Sequence, residues 1–263
     1  MYTTLMAQAT TPEDKMEVMR RLILGDVFYL LVYACNRWDV DRDWLFDRCM
    51  ETQAEPDGYL DLWAREHYKS TIITYALTIQ DILADPNITV GFFSFNRPIA
   101  KAFLRQVKRE LENNAVLKDL FPDVLYANPQ KESPKWSEDD GIVVRRNVNP
   151  KEATLEAWGL VDGQPTSKHY SLMVYDDVVT LDSVTTPEMI AKVTEAWSLS
   201  RNLKTQGGRV RYVGTRYHYN DTYAEMISRG AVQTRIYPAE RGGVPQFMSA
   251  AELAERRTEQ GGR

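Results

Sequence analysis

Cysteine and histidine are scarce in this sequence of 263 residues, which has two cysteines and three histidines. Cys35 and Cys49 are too few and unsuitably spaced for a disulfide framework or a zinc site. The histidines likewise show no spacing that would bind a metal. We therefore expect a reduced, intracellular protein.

Long apolar runs and a signal peptide are also lacking. The longest apolar stretch, residues 27–35, has about half the length that spans a bilayer. Glu13 and Asp14 precede every apolar run, which argues against a signal peptide at this end of the sequence. The sequence therefore predicts a soluble protein with no membrane partner.

Basic residues are not in excess, since 32 Lys and Arg stand against 37 Asp and Glu and the formal net charge is -5. A dedicated nucleic-acid-binding domain is usually basic, so the composition argues mildly against one. A local basic stripe can still bind phosphates. The predicted helix 98–113 carries such a run in Lys101, Arg105, Lys108 and Arg109. We favour a solvated helix face for these residues, and a DNA-tracking stripe is the alternative.

The sequence does contain a regular alternation of strand and helix patterns. Strands are predicted at residues 59–63, 88–95, 171–175 and 209–214. Each is followed by a predicted helix, at residues 70–83, 98–113, 187–203 and 221–227 respectively. A turn at Gly207-Gly208 is predicted to precede the last of these strands. Such an alternation predicts an α/β fold with a mostly parallel sheet that is covered by helices on both faces.

The segment from Trp63 to Ser70 has the chemistry of a phosphate-binding loop. Such a loop turns backbone N–H groups toward phosphates at a helix N-terminus. It also needs a lysine for the β- and γ-phosphates and a hydroxyl for Mg²⁺, which Lys69 and Ser70 supply. Trp63 and Tyr68 stand where the GxxxxGK[ST] pattern has glycines, and a positive φ at Tyr68 would be strained. A helix with a basic, hydroxyl-rich first turn is the alternative.

A second candidate feature is the apolar run at 171–175, which ends in Asp176 and Asp177. Acids at the carboxyl end of a buried parallel strand lie where such sheets bind ligands. In this arrangement Asp176 would hold Mg²⁺ and Asp177 would orient and deprotonate the attacking water. A strand followed by an Asx turn is the alternative. The next predicted strand ends in Gly214-Thr215, and Thr215 is well placed to sense a γ-phosphate.

These features, in this order, resemble the ATPase part of the large terminase subunit of tailed bacteriophages. The resemblance rests on residues 64–71, the stretch 94–101, Tyr175 to Asp177, and residues 207–221, and it extends over roughly residues 60–263. Members of that family commonly lack the first glycine of the phosphate-binding loop. Tyr68 departs from the usual glycine before the lysine, and Asp177 replaces the more usual glutamate.

The resemblance implies a P-loop NTPase fold of the ASCE or RecA-like type, with ATP and Mg²⁺ as ligands. It places Lys69, Arg65, Asp177 and Thr215 in catalysis, and Ser70 and Asp176 on the metal. Arg65 would contact the γ-phosphate, or alternatively form a surface ion pair with Glu66 or Asp61. The residues expected to bind the nucleotide are Gln53, as a contact to adenine, and Arg65, Glu66, His67, Tyr68, Lys69, Ser70 and Thr71.

The resemblance also implies a motor that moves double-stranded DNA into a procapsid. Its expected partners are DNA, the portal protein, the small terminase subunit and further copies of the chain in a ring, in the host cell cytoplasm. We predict an N-terminal helical segment at 1–45, an ATPase core with a lid at 46–240, and a linker helix at 241–263 that leads toward a missing nuclease domain.

Two other functions are compatible with the same residues. A helicase or a different nucleic-acid translocase could use the same ATPase core. A nucleotide-binding scaffold that does not hydrolyse ATP is the alternative from another class, because Tyr68 and Asp177 depart from the usual pattern.

Overall fold

A computed structural model describes residues 2–259 of the chain. Its helices are α1 (Tyr2–Gln8), α2 (Pro12–Gly25), α3 (Val27–Tyr29), α4 (Asp43–Ala54), α5 (Leu77–Ala84), α6 (Arg97–Asn113), α7 (Ala115–Leu120), α8 (Pro129–Glu132), α9 (Pro187–Ser200), α10 (Thr222–Ser228) and α11 (Ala250–Glu259). A π-helical turn at Leu30–Ala34 extends α3, and another at Ser70–Ala76 precedes α5. Short 3-10 turns lie at Trp38–Val40, Asp182–Val184 and Arg201–Leu203.

The strands form one large sheet and one small hairpin. They are β1 (Tyr59–Trp63), β2 (Val90–Ser94), β3 (Trp136–Ser137), β4 (Gly141–Ile142), β5 (Leu155–Gly159), β6 (Tyr170–Asp176), β7 (Lys204–Gly214), β8 (Gln233–Tyr237), β9 (Glu240–Arg241) and β10 (Val244–Pro245). The large sheet has the order β3-β4-β5-β2-β6-β7-β1-β8, and β9 pairs with β10. From β5 to β8 every neighbouring pair is parallel, whereas β3 and β4 form an antiparallel edge.

The central strands are buried on both sides, and alternate residues contact opposite helical layers. Phe92 of β2 and Val174 of β6 belong to an apolar cluster with α2, α5 and α6. Their neighbours Phe93 and Tyr175 belong to a second cluster that includes Trp197 of α9 and residues of α10. Period-two alternation between two apolar faces explains why these strands are almost uniformly hydrophobic. The predicted fold class, a mostly parallel sheet covered on both faces, is confirmed.

The N-terminal helices pack on the same apolar cluster as α5 and α6. Helix α2 begins with a capping box, in which the Thr11 hydroxyl accepts from the N–H of Asp14 and the Asp14 carboxylate accepts from the N–H of Thr11. Within residues 2–259, no helix is long and apolar enough to span a membrane. The domain limits after residues 45 and 240 stay predictions.

The structure corrects the predicted turn at Gly207-Gly208. Both glycines lie inside β7, which begins at Lys204 rather than near Arg209. Gly207 has φ +73°, and the pairing of β6 with β7 shifts register between Tyr170 and Leu172. A Gly-Gly pair predicts a turn, but here the positive φ accommodates an irregularity within a continuing strand.

The C-terminal helix α11 begins at Ala250, inside the segment 241–263 for which the sequence predicts a linker helix. The Ser249 hydroxyl accepts from the N–H of Glu252 at 3.2 Å, and the Glu252 carboxylate accepts from the N–H of Ser249 at 2.8 Å. This is a capping box, which fixes the first turn of the helix. Ahead of it, Val244–Pro245 is a short strand rather than helix, and residues 260–263 of the predicted linker helix lie outside the described part of the chain.

Candidate functional site

The three sequence features meet at one edge of the sheet, where β1, β6 and β7 end. Strand β7 lies between β1 and β6. Leu62 of β1 pairs with Gly214 of β7, and Asp176 of β6 pairs with Val213 of β7. Because the three strands are parallel and end at nearly the same level, the loop after β1, Asp177 and Thr215 all lie at this carboxyl edge.

Residues 64–68 form a tight loop between β1 and the helix that begins at Lys69. Glu66 has φ +63° and Tyr68 has φ +61°, so both lie in the left-handed region that favours glycine. The carbonyl of Tyr68 accepts from the N–H of Ile72 at 3.0 Å and so closes the first helical turn. The N–H groups of that turn, which include Lys69 and Ser70, therefore face the loop without partners in the helix. This geometry suits an anion.

His67 attaches the loop to the N-terminal helices. Its side chain is fully buried, and its Nδ1 lies 2.8 Å from the carbonyl oxygen of Arg65. The ring packs edge-on against Trp44 of α4, with 5.5 Å between ring centroids. Burial lowers the pKa of His67, so the neutral ring donates to the carbonyl and fills an apolar site. Its contacts are those of a residue that shapes the loop.

Asp176 lies against the first two turns of this helix, which carry Ser70 and Thr74. Its Oδ2 accepts from the Thr74 hydroxyl at 2.5 Å, and the Ser70 hydroxyl is within reach of the same carboxylate. Burial, and then the charge of Asp177, raise the pKa of Asp176 to about 7. The two hydroxyls and Lys69 oppose this shift. The carboxylate is therefore held in a buried position where a nearby cation would favour its ionised form.

Asp177 is turned out of the strand by its backbone. Its φ is +52°, its N–H donates to the carbonyl of Val213 at 3.1 Å, and its carbonyl accepts from the N–H of Phe95 at 3.2 Å. Burial raises the pKa of this carboxyl, and the positive charges of Lys69 and Arg65 oppose the shift. A carboxylate with a raised pKa between two cations is a stronger base than an exposed aspartate.

The residues present fit a magnesium ion. Among residues 2–259, Oδ1 of Asp176 is buried and has no hydrogen-bond partner, although a buried carboxylate oxygen ordinarily has one. That oxygen and the nearby Ser70 hydroxyl are hard oxygen ligands of the kind that Mg²⁺ takes. The same residues contain no group of three or more His, Cys, Asp or Glu with metal-binding geometry. Mg²⁺ in phosphate sites often has only one or two protein ligands, and phosphate and water complete its shell.

Arg65 contacts the segment that follows β7. Its guanidinium donates to the Tyr217 hydroxyl at 2.5 Å and lies 5.4 Å from the centre of the Tyr217 ring. The predicted alternative of an ion pair with Glu66 or Asp61 is not what the structure shows, because Glu66 pairs with Arg256 and Asp61 with Arg235. Thr215, half-buried, stands two residues before Tyr217. The loop after β1 and the segment after β7 are thus in direct contact.

Gln53, the predicted contact to adenine, lies on α4. Its side-chain oxygen accepts from the N–H of Val27 at 2.5 Å, and its amide nitrogen donates to the carbonyl of Gly25. Both ends of the side chain therefore hold α4 against the junction of α2 and α3. The adenine contact at Gln53 stays a prediction.

The basic run on α6 is largely paired with acids of this chain. Lys101 pairs with Asp139 at 2.8 Å and Arg105 with Glu138 at 2.6 Å. Lys108 pairs with Glu112 at 2.8 Å. Binding to a phosphate backbone would compete with these ion pairs, so the structure supports the solvated-face interpretation of α6.

Sequence reasoning missed three residues of the site. Thr74 lies one turn after Ser70, and that spacing on one helix face could have indicated it. Tyr217 is two residues beyond Thr215, and nothing in the sequence marks it as the partner of Arg65. Tyr223 of α10 is fully buried beneath the site, and its hydroxyl accepts from the N–H of Val179.

No family model matches the sequence, and no curated protein matches it. Among solved structures, the crystal structure of the HK97 bacteriophage large terminase is similar to this chain, with a TM-score of 0.48 and 12% sequence identity. The similarity covers 84% of this chain and 47% of the other, so this chain spans about half the length of that protein.

Proposed function

We propose that this chain is the ATPase domain of a viral large terminase, which hydrolyses Mg-ATP to move double-stranded DNA into a procapsid. The observation that carries the ATPase part is the meeting of Lys69, Ser70, Asp176, Asp177 and Thr215 at one edge of a parallel sheet. The packaging part rests on the resemblance of the motifs to that family.

In this proposal the triphosphate lies on the loop of residues 64–68 and on the helix N-terminus. The free N–H groups and the Lys69 ammonium bind the phosphate oxygens. Ser70 and Asp176 would hold Mg²⁺, which would supply positive charge to offset that of the phosphates. The buried Oδ1 of Asp176 supports this assignment, because a buried carboxylate oxygen without a partner needs a cation or a donor.

Hydrolysis needs a base for the attacking water, and Asp177 is that base. The water oxygen forms a bond to the γ-phosphorus while the bond to the β–γ bridging oxygen breaks, which gives ADP and inorganic phosphate. The proton of the water passes to the Asp177 carboxylate. Its burial, which raises its pKa, makes the carboxylate a better proton acceptor near neutral pH.

Arg65 and Thr215 connect the phosphates to the rest of the sheet edge. Arg65 lies within the loop and contacts Tyr217 through its guanidinium, so a γ-phosphate would compete with the Tyr217 hydroxyl for that cation. Movement of Arg65 between the two partners would transmit the state of the nucleotide to the segment after β7. The DNA, the portal protein, the small terminase subunit and a ring of further copies are the proposed partners, in the host cytoplasm.

Steady-state ATPase activity tests the proposal, measured with and without double-stranded DNA. Lys69→Ala and Asp177→Ala should each lower the turnover rate about 100-fold or more, because each removes a group that acts on the transferred phosphoryl. Lys101→Ala and Asp139→Ala are matched controls, since these residues form a surface ion pair elsewhere, and they should retain the wild-type rate.

Two results would replace the proposal with an alternative. A wild type that binds ATP but hydrolyses it no faster than the Lys69→Ala and Asp177→Ala variants would indicate a scaffold without hydrolysis. Separation of the strands of a forked duplex, with no translocation along an intact duplex, would indicate a helicase.

A further inference from the structure

A cleft of about 570 Å³ opens beside the loop of residues 64–68. Its volume falls within the roughly 300–1,000 Å³ of small-molecule sites. Three parts of the chain line it, namely the start of α4, the phosphate-binding loop with its helix, and the C-terminal segment with α11. The lining residues include Arg42, Tyr68, Thr71, Phe247, Glu252 and Glu255.

The cleft adjoins the groups that are proposed to hold the phosphates. Tyr68 immediately precedes Lys69, and Thr71 immediately follows Ser70. A nucleotide whose phosphates lie on Lys69 and Ser70 would therefore have its ribose and base within reach of this cleft. Neither Asp176 nor Asp177 lines the cleft, so the reacting γ-phosphate belongs outside it, beside these two residues at the sheet edge.

Phe247 provides a fixed aromatic surface in the cleft. Its ring lies 5.0 Å from Trp44, 5.4 Å from His67 and 6.0 Å from Tyr68, measured between ring centroids. These contacts hold the half-buried ring in one orientation. The exposed guanidinium of Arg42 lies over the Phe247 ring, 5.2 Å from its centroid. A planar cation over an aromatic ring occupies the kind of position that a nucleic-acid base takes when it stacks.

The charge of the cleft sets the direction of a bound nucleotide. The carboxylates of Glu66, Glu252 and Glu255 outnumber the nearby cations of Arg42 and Arg256. A triphosphate is repelled by such a rim and attracted to Lys69, whereas ribose hydroxyls can donate hydrogen bonds to carboxylates. The base end of the molecule is thus favoured in the cleft and the phosphate end on the loop.

Helix α11 forms the outer wall of the cleft and is attached to the phosphate-binding loop. The Arg256 guanidinium donates to the Glu66 carboxylate at 2.6 Å, and Leu253 is buried beneath the helix. Glu66 is one of the two loop residues with positive φ. The loop that would receive the phosphates and the wall that would cover the base are therefore joined by one ion pair.

We propose that this cleft binds the base and ribose of the nucleotide, with the ribose beside the carboxylates of α11. The base stacks on Phe247 where the Arg42 guanidinium lies in this structure, and Arg42 moves to cover the outer face of the base. The inference rests on the proposed function, since it completes the same nucleotide site. It moves the base contact from Gln53, whose amide is bonded to backbone, to a segment near the C-terminal end of the described chain.

Isothermal titration of the full chain with Mg-ATP and, separately, with Mg-tripolyphosphate tests the inference. Phe247→Ala and Arg42→Ala should each weaken ATP binding, by about 5- to 100-fold for Phe247→Ala because a stacked base is worth about 1–3 kcal/mol. Neither variant should change tripolyphosphate binding by more than about twofold, since the phosphates do not contact the cleft. Phe247→Trp should retain ATP binding. Arg257→Ala is the matched control, because Arg257 lies on α11 and pairs with Glu240 outside the cleft.

The two ligands separate failure of the inference from failure of the proposed function. If the wild type binds neither ATP nor tripolyphosphate, the nucleotide site itself is wrong and the inference falls with it. If the wild type binds both ligands, and neither Arg42→Ala nor Phe247→Ala changes the affinity for ATP, the base lies elsewhere. Equal weakening of ATP and tripolyphosphate by both variants would also overturn the inference, because the cleft would then act only through the shape of the loop.

Discussion

Three residues of the candidate site adopt a backbone conformation that usually belongs to glycine. Glu66, Tyr68 and Asp177 have φ of +63°, +61° and +52°. For a residue with a Cβ this conformation costs about 1–2 kcal/mol, and such strain is commonly concentrated at functional sites. The Tyr68 strain expected from the missing glycine is present, and the surrounding contacts hold it. The side chain of Tyr68 packs beside Phe247, which a glycine could not do.

The pH dependence of stability should report on Asp176. Its pKa is raised from 3.8 to about 7 in the folded protein, first by burial and then by Asp177. The folded state therefore holds a proton that the unfolded state releases, so the stabilisation is present at low pH and is lost as the pH rises through about 7. Without Mg²⁺ or nucleotide, Asp176→Asn should raise the free energy of unfolding at pH 8, on the order of 1–3 kcal/mol.

Urea denaturation of both proteins from pH 5 to pH 8 measures this effect. The difference in free energy of unfolding between Asp176→Asn and the wild type should shrink steadily as the pH falls toward 5, because the wild-type carboxyl becomes protonated. Asp41→Asn, an exposed position, is the control and should show no such trend. An Asp176→Asn variant that is less stable than the wild type by the same amount at every pH would contradict the account.

At the scale of single elements, the carboxyl end of β7 depends on close packing against α10. A Cβ at Gly214 would lie 2.2 Å from the hydroxyl oxygen of the buried Tyr223 and 2.4 Å from its Cζ. Gly214→Ala should therefore destabilise the protein by about 1–3 kcal/mol, as overpacking does in a dense core. It should also displace Thr215, and so lower ATPase activity.

Thermal unfolding and ATPase assays of Gly214→Ala check this expectation. Gly25→Ala is a matched control, because a Cβ there meets nothing within 4 Å, and its stability should change by less than about 0.5 kcal/mol. Wild-type stability in Gly214→Ala would show that Tyr223 does not constrain the end of β7.

The same element shows how far the sequence could predict the structure. The sequence at 214–215 singles out Thr215, whereas the structure shows that Gly214 is required by the ring of Tyr223 in the next helix, α10. Strands β1 and β6 were predicted almost to the residue, because their apolar patterns are local. The start of β7 was missed, because continuing a strand through Gly207 depends on pairing with β6. Partnerships such as Arg65 with Tyr217 depend on tertiary structure in the same way.

At the scale of the whole molecule, the parallel sheet places distant parts of the sequence at one edge. Residues 64–71, the pair Asp176-Asp177 and Thr215 are far apart in sequence and meet because β1, β7 and β6 are adjacent and parallel. The N-terminal helices and the C-terminal segment then contact the loop through Trp44 and Phe247. The nucleotide site proposed here therefore uses residues from almost the full length of the described chain.

The decisive measurement for the proposed nucleotide site is a structure of this protein bound to Mg²⁺ and a non-hydrolysable ATP analogue. We expect the phosphates on the backbone of residues 64–70 with the Lys69 ammonium beside them, and the metal beside Ser70 and Asp176. We also expect a water near Asp177 that lies in line with the γ-phosphate. A triphosphate bound away from Lys69, or a metal that approaches neither Ser70 nor Asp176, would contradict the proposed site.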